Sequence, residues 1–414
     1  MSIYKPVVVI DSRVLGAGLK RKSARTGVYR YTYELLLALA DQQMQLGLHL
    51  LICPYQPLSH LRSLNLHLAS GELAGIPRIG ARLTLVLARL NFFLPCLDIK
   101  GLRWIARKID TALLHFWAVK QCNPVLHLPY FGLPQSVRGG RWKVIHTIHD
   151  LIPLIHPDWF PTSIINSVSS YLREASISSN ILVASRATRG DLMRLFPSLK
   201  PSSVHMAPLA ASRRFFPLAC DQSSDFRYHH GLDAKTIIVL TTCANYPYKN
   251  FSTLLLAFRR IKPDIPLHLV VVGADDCFAK SLKVKAKALD LERNITALGF
   301  LSDYDLRLAY CAANLFVYLS LYEGFGLSVL EAMACGCPVI CSNTTSLPEV
   351  AGDAALQVDP LDELAVCVAM ERLLFDPIEC HSRSKLSLEQ ARKFNWELTA
   401  SATIAVYRQA AMFQ

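Results

Sequence analysis

The segment "NLFVYLSLYEGFGLSVLEAMACGCPVICSN" (residues 314–343) reads as strand, loop, helix and strand in immediate succession. Its flanking runs of Leu, Val and Ile are near-continuous, the pattern of parallel strands covered on both faces. Two carboxylates, Glu323 and Glu331, lie eight positions apart on either side of the Gly-Phe-Gly turn. On one continuous helix, eight steps of about 100° leave a net rotation of about 80°, and the two side chains would diverge. They converge on one ligand only if Glu323 sits on the loop and Glu331 inside the helix that follows.

The same rhythm extends outward in two series. The first contains strands at "KPVVVIDSRVL" (5–15), "LHLLICPY" (48–55), "PVLHLPYF" (124–131), "WKVIHTIHDLI" (142–152) and "ILVASR" (181–186), with the helical spacing of "YRYTYELLLALADQ" among them. The second restarts after residue 213 with "KTIIVLTTC", "LHLVVVGA", "NITALGFL", "NLFVYLSL" and "CPVICSN", separated by helical stretches such as "NFSTLLLAFRRI". Strands alternating with helices predict α/β architecture, here two doubly wound parallel-sheet domains. The joint is placed near "APLAASRRFFP" (207–217), where the pattern breaks. At 414 residues the chain exceeds what one core usually supports, which agrees with two domains.

Composition narrows the class further. No uncharged apolar run approaches the length of about 18 residues that a spanning helix needs. The "PVVVI" after Lys5 is too short for a secretory signal, so a cytoplasmic protein is expected. Twelve cysteines then read as small buried residues, not a disulfide framework, and "CGC" at Cys335–Cys337 lacks zinc-site spacing. A net charge of +12 is compatible with nucleic acid, anionic lipid or phosphorylated ligands. No interleaving of aromatic and basic residues points to nucleic acid.

In open α/β sheets, ligands sit beyond the carboxyl ends of the strands. Beyond "NLFVYLSL" the loop carries Glu323, Gly324, Phe325 and Gly326, and a helix starting near Leu327 offers unpaired N–H groups that suit an anion such as a diphosphate. Bare carboxylates would repel that diphosphate, so the glutamates are expected to face neutral hydroxyls. A carboxylate accepts two hydrogen bonds from a vicinal diol of a sugar or ribose. Neither "GAGLKR" nor "GFGLSV" completes G-x-G-x-x-G, which leaves a nicotinamide cofactor unsupported. The pattern suits a sugar nucleotide.

The stretch "EGFGLSVLEAMACGCPVICSNTTSLPEVAGDAALQVDP" closely resembles the Glu-x7-Glu region of family 4 retaining glycosyltransferases. "TGVYRYTYELL", "HLPYFGLP", "TIHDLIPLIHPDWF", "ILVASRATRGDLMRLFP", "YKNFSTLLLAF" and "VVVGA" are similar to further blocks of that family, in the same order over almost the whole chain. The resemblance implies the GT-B fold, two Rossmann-like domains facing a central cleft. Residues 1–210 would bind the acceptor, 211–392 the nucleotide sugar, and the helix in 393–414 would pack back on the first domain. It implies a hexosyltransferase using a nucleotide-diphosphate sugar, with mannose from GDP-mannose the first expectation and a UDP-sugar the alternative. The acceptor would be a glycan or a lipid-linked glycan in surface polysaccharide synthesis.

By the same resemblance, Glu323 would contact hydroxyls of the transferred sugar, with the Phe325, Gly326 and Leu327 backbone amides nearby and Gly324 and Ser328 among the donor-binding residues. Glu331 would hold the ribose diol, and Lys249 would neutralise the diphosphate as the leaving group gains charge. His149 would face the reacting carbon, Gly27 would let the first domain's helix end approach the diphosphate, and the segment Leu298 to Leu301, with Phe300, would meet the base. Relatives often carry an arginine directly before the lysine or five residues ahead of it. Tyr248 and Ala244 stand there, so Lys249 acts alone or with a substitute such as Arg186 or Arg30. No metal or other cofactor is expected: Asp303-Tyr304-Asp305 opens a helix and reads as capping and first-turn acid. His127 and His146, on apolar strands, read as core histidines. His149-Asp150 taken alone would also suit a helix start, and Lys249-Asn250 a simple turn.

Residues 78–108 place Arg78, Arg82 and Arg89, then Lys100, Arg103 and Arg107, on helical faces opposite Leu, Val, Phe and Trp104. This is either an interfacial helix docking on anionic lipid at the inner membrane face or a basic solvated face over a core. Functional rivals within the fold are a sugar-nucleotide 2-epimerase and a catalytically silent sugar-nucleotide-binding protein.

Overall fold

The structure, a computed structural model, describes residues 7–11, 14, 27–42, 47–51, 123–130, 132–133, 141–178, 180–242, 246–261 and 266–412. The basic segment 78–108 lies outside them.

The first half runs β1 (Val7–Asp11), α1 (Gly27–Asp41), β2 (Gly47–Leu51), β3 (Val125–Leu128), β4 (Lys143–Ile148), α2 (Ile152–Ile155), α3 (Thr162–Ser176), β5 (Asn180–Val183), α4 (Arg186–Leu195) and β6 (Val204–Met206). After a connector without helix or strand come α5 (Cys220–His229), β7 (Ile237–Thr242), α6 (Phe251–Arg260), β8 (Leu267–Val272), α7 (Asp276–Ala288) and β9 (Ile295–Leu298). Then follow α8 (Asp303–Ala312), β10 (Leu315–Tyr318), α9 (Leu327–Ala334), β11 (Val339–Ser342), α10 (Leu347–Ala351) and β12 (Leu356–Val358). Helices α11 (Glu363–Phe375), α12 (Pro377–Arg392) and α13 (Trp396–Met412) close the chain.

Among the described residues, two six-stranded sheets result, ordered β2-β1-β3-β4-β5-β6 and β12-β11-β10-β7-β8-β9. Every pairing is parallel. The burial of Val8, Val9 and Ile10, and of Ile238, Val239 and Leu240, explains why these strands read as continuous apolar runs. Each such side chain contributes about 1.5–3 kcal/mol when removed from water. In the second sheet the winding reverses between β7 and β10, which makes the crevice beyond their carboxyl ends the place where such sheets bind ligands. Among the described residues, no helix is long and apolar enough to cross a membrane.

Helix α13 lies on the first sheet, although it follows the second in sequence. Its Tyr407 OH is 2.7 Å from His127 Nδ1, Thr399 Oγ1 donates to the Pro208 carbonyl (2.5 Å), and Asn123 Nδ2 donates to the Ala411 carbonyl (3.0 Å). His127 is fully buried, and its Nε2 lies 2.7 Å from Thr147 Oγ1, itself 2.9 Å from the Tyr31 hydroxyl. Burial pulls the His127 imidazole down to about 3, so it is a neutral core histidine with both nitrogens satisfied. His146 is likewise buried, 3.4 Å from Glu174 Oε1. Cys335, Cys337, Cys341 and Cys367 are free and buried.

Candidate active site

Lys249 and Glu323 meet at the crevice between β7 and β10. Lys249 ends the 3-10 turn Pro247–Lys249 beyond β7, and Asn250 follows in the left-handed region at φ 49°. Asparagine tolerates that conformation, and its Nδ2 ties the turn to the Pro360 carbonyl at 2.6 Å. Lys249 Nζ donates to Glu323 Oε1 and to the Tyr318 hydroxyl, both at 2.6 Å, while Tyr318 OH donates to the same carboxylate oxygen at 2.8 Å. The rings of Tyr248 and Tyr318 lie 5.0 and 4.9 Å from the ammonium. Both ends of the pair are about six-sevenths covered, with side-chain exposures of 14% and 13%. A cation held this way can stabilise an anion that enters the crevice, because little water remains to screen it.

Glu323 sits on the loop, as its spacing to Glu331 requires, and Gly326 starts α9 at φ 105°, a conformation that glycine adopts without strain. The Val329 and Leu330 amides both donate to the Gly326 carbonyl, at 3.1 and 3.3 Å, which leaves the Leu327 and Ser328 amides as the first-turn donors that lack an intrahelical acceptor. Phe325 is buried with its ring edge-on to Phe394 at 5.8 Å, so only its backbone can serve a ligand.

The first half supplies the facing wall. Ser185, beyond β5, caps α4 by accepting from Thr188 N–H (3.0 Å) and donates its hydroxyl to the Gly324 carbonyl (2.6 Å). The Glu349 carboxylate accepts from the amides of Arg186 and Ala187 at 3.0 and 3.1 Å, a second polar tie between the halves. At Gly324 a β-carbon would fall 2.0 Å from the His149 carbonyl oxygen, so the two backbones touch here.

His149 and Asp150 are half-buried beyond β4. His149 Nε2 is 2.8 Å from the Pro129 carbonyl, which can only accept, so Nε2 carries the proton and Nδ1 is left as an acceptor. Burial draws this imidazole down to about 4, leaving it neutral at pH 7. Burial pushes the Asp150 carboxyl up to about 6; Glu323 adds to the shift, while the Ile152 amide and Lys249 oppose it. Asp150 Oδ1 also accepts from the Ile152 N–H at the start of α2 (3.1 Å), the bond to a first-turn amide that its type suggests, although the cap position itself is Leu151.

Glu331 lies inside α9 and is 1% exposed. Its carboxylate is bonded to Arg30 of α1, whose other guanidinium nitrogen reaches Asp303 Oδ1 at 3.1 Å. Arg30 is therefore engaged by two carboxylates. Ser302 caps α8 by accepting from Asp305 N–H (3.1 Å), so the cap is the serine before the triplet, while Asp303 and Asp305 supply the first-turn acid expected there. Among the described residues, no cluster of three or more His, Cys, Asp or Glu could hold a metal ion.

The remaining expected residues are Gly27, Leu298 and Phe300. Gly27 opens α1, where a methyl group would meet nothing within 4 Å among the described residues. Leu298 ends β9 with its carbonyl accepting from Ala274 N–H (3.1 Å), and Phe300 beyond it is 38% exposed. Tyr318, Ser185, Thr188 and Glu349 escaped sequence reasoning. Tyr318 looks like one more strand aromatic, and the others act on residues more than a hundred positions away.

The residues 222–390 match the family model described as glycosyl transferases group 1. Over 301 residues the chain is 31% identical to the O-antigen chain mannosyltransferase B of Escherichia coli, covering 70% of this chain and 76% of that protein. With two longer mannosyltransferases the match spans 33% and 32% of their length. Among solved structures, the fold is shared with sucrose-phosphate synthase from Thermosynechococcus elongatus, with TM-score 0.68, 22% identity and coverage of 98% and 99% of the two chains. It is shared also with Anabaena Alr3699/HepE in complex with UDP and glucose, with TM-score 0.69, 15% identity and coverage of 98% and 100%.

Proposed function

This chain belongs to the glycosyl transferases group 1 family and is a hexosyltransferase of GT-B fold, and we propose that it moves mannose from GDP-mannose to a growing surface glycan with retention at the anomeric carbon. The observation that carries the reading is the Lys249–Glu323 pair at the reversal of the second sheet, faced by His149 and Asp150 of the first half. Mannose and an O-antigen-type acceptor are suggested by the name of the Escherichia coli relative, and a nucleotide sugar by the UDP and glucose held in the Anabaena neighbour.

In this reading the diphosphate takes the place beside Lys249 and the free amides of α9. Glu323 accepts hydrogen bonds from the sugar, Glu331 accepts them from the ribose, and the Leu298–Leu301 segment meets the base. Neutral His149 offers Nδ1 to a hydroxyl near the reacting carbon. The acceptor hydroxyl attacks from the departing face, its oxygen forming the new bond to the anomeric carbon as the bond to the phosphate oxygen breaks. Its proton passes to the leaving diphosphate. The negative charge that grows there is met by Lys249.

A thermal-shift comparison of GDP-mannose, UDP-glucose and UDP-GlcNAc tests the donor. A donor at one hundred times its dissociation constant adds about 2.7 kcal/mol of stability. GDP-mannose is expected to raise the melting temperature most. A larger rise with a UDP-sugar would replace the donor assignment, and no rise with any of the three would count against the site.

A further inference from the structure

The proposed reaction gives Arg30 no direct part, yet its guanidinium is among the most heavily engaged groups at the junction of the two halves. One nitrogen bonds Glu331 Oε1 and the other lies 3.1 Å from Asp303 Oδ1, with side-chain exposures of 19% for Arg30 and 2% for Glu331. Arg214 closes the far side of Asp303 at 2.8 Å, and the ring of Phe215 lies 5.4 Å from the Arg30 guanidinium. Arg30 thus separates two carboxylates, one buried and one partly exposed, that would otherwise repel.

Burial alone pushes the Glu331 carboxyl up, and Asp303 adds to that push, while Arg30 opposes both. A protonated Glu331 would have one oxygen acting as a donor and could not accept from two hydroxyls at once. A bond to Oε1 also fixes the plane of the carboxylate and hence the direction of Oε2.

We propose that Arg30 is a positioning residue for ribose recognition, reaching from α1 of the first half to hold Glu331 of α9 in the orientation that accepts a ribonucleoside diol. The inference rests on the reading of Glu331 as the ribose acceptor. Its consequence is that a nucleotide site built on the second sheet is completed by a side chain of the first. Arg30 acts through Glu331 and not on the diphosphate, which distinguishes it from a second phosphate cation.

The test uses the full chain and four proteins: wild type, Arg30→Met, Glu331→Gln and the double variant. Calorimetric affinities are measured for GDP and 2′-deoxy-GDP, with UDP and 2′-deoxy-UDP in parallel. A hydrogen bond to a charged group predicts that wild type prefers the ribonucleotide by about 10- to 100-fold. Arg30→Met is expected to reduce that preference to less than about threefold, and the double variant to bind GDP no more weakly than Glu331→Gln alone. Arg30→Met retaining the wild-type preference would overturn the proposal. So would a double variant weaker than Glu331→Gln, because Arg30 would then touch the nucleotide itself; this comparison stands even if Arg30→Met alone fails to fold. A wild type indifferent to the 2′-hydroxyl would instead overturn the ribose reading of Glu331.

Discussion

Replacing Lys249 with alanine is expected to lower the rate of sugar transfer by about 100- to 1,000-fold, the range seen when one preorganised electrostatic group is removed from a transition state. The reasoning begins with where charge develops. The nucleotide diphosphate becomes more negative as the sugar departs, so a cation beside it stabilises the transition state more than the bound donor. Such a loss falls on kcat more than on KM. Lys249 is placed for this by its turn, by the Asn250 anchor and by two phenol rings, in a crevice where its side chain is 14% exposed. Lys249→Arg is not a conservative control, because the wider guanidinium must fit between Tyr318 and Glu323. Steady-state kinetics with purified protein check the prediction. A variant transferring sugar at the wild-type rate would remove Lys249 from the mechanism.

Gly324→Ala is the second large effect, and it arises from packing. The added carbon would lie 2.0 Å from the His149 carbonyl oxygen and 2.9 Å from Asp150 Cβ, a clash with backbone that no rotamer change relieves. Overpacking of this kind costs about 1–3 kcal/mol. The chain must move at the joint where Ser185 and Thr188 hold the Gly324 carbonyl, at 2.6 and 3.1 Å, and Glu323 moves with it. A displacement near 1 Å in a reacting geometry costs about 100-fold in rate. The variant is therefore expected to melt several degrees lower and to transfer sugar about 100-fold more slowly. Unchanged activity and melting temperature would mean that the two halves do not meet here in solution.

The parts of the fold legible in the sequence are those that local chemistry dictates. "VVVID" and "LHLVVV" show as strands because helices cover both sheet faces, leaving hardly a polar position to interrupt the run. Strands β6 ("VHM") and β12 ("LQV") were not foreseen; each has three residues, sits at a sheet edge and carries partly exposed positions. A run that short has no measurable period. The separation of Glu323 and Glu331 into loop and helix follows from glycine chemistry and helical geometry, and the structure has that separation. The partners of those residues were hidden. Arg30 meets Glu331 across 301 positions, and Gly324 touches His149 across the cleft, contacts that only the meeting of helices and loops from the two halves creates.

A crystal structure of the protein with an intact nucleotide sugar measures the central claim directly. The account predicts Lys249 Nζ within about 2.7–3.2 Å of a diphosphate oxygen and the Glu323 carboxylate within the same reach of a sugar hydroxyl. A nucleotide sugar bound elsewhere, with the Lys249–Glu323 pair untouched, would contradict it.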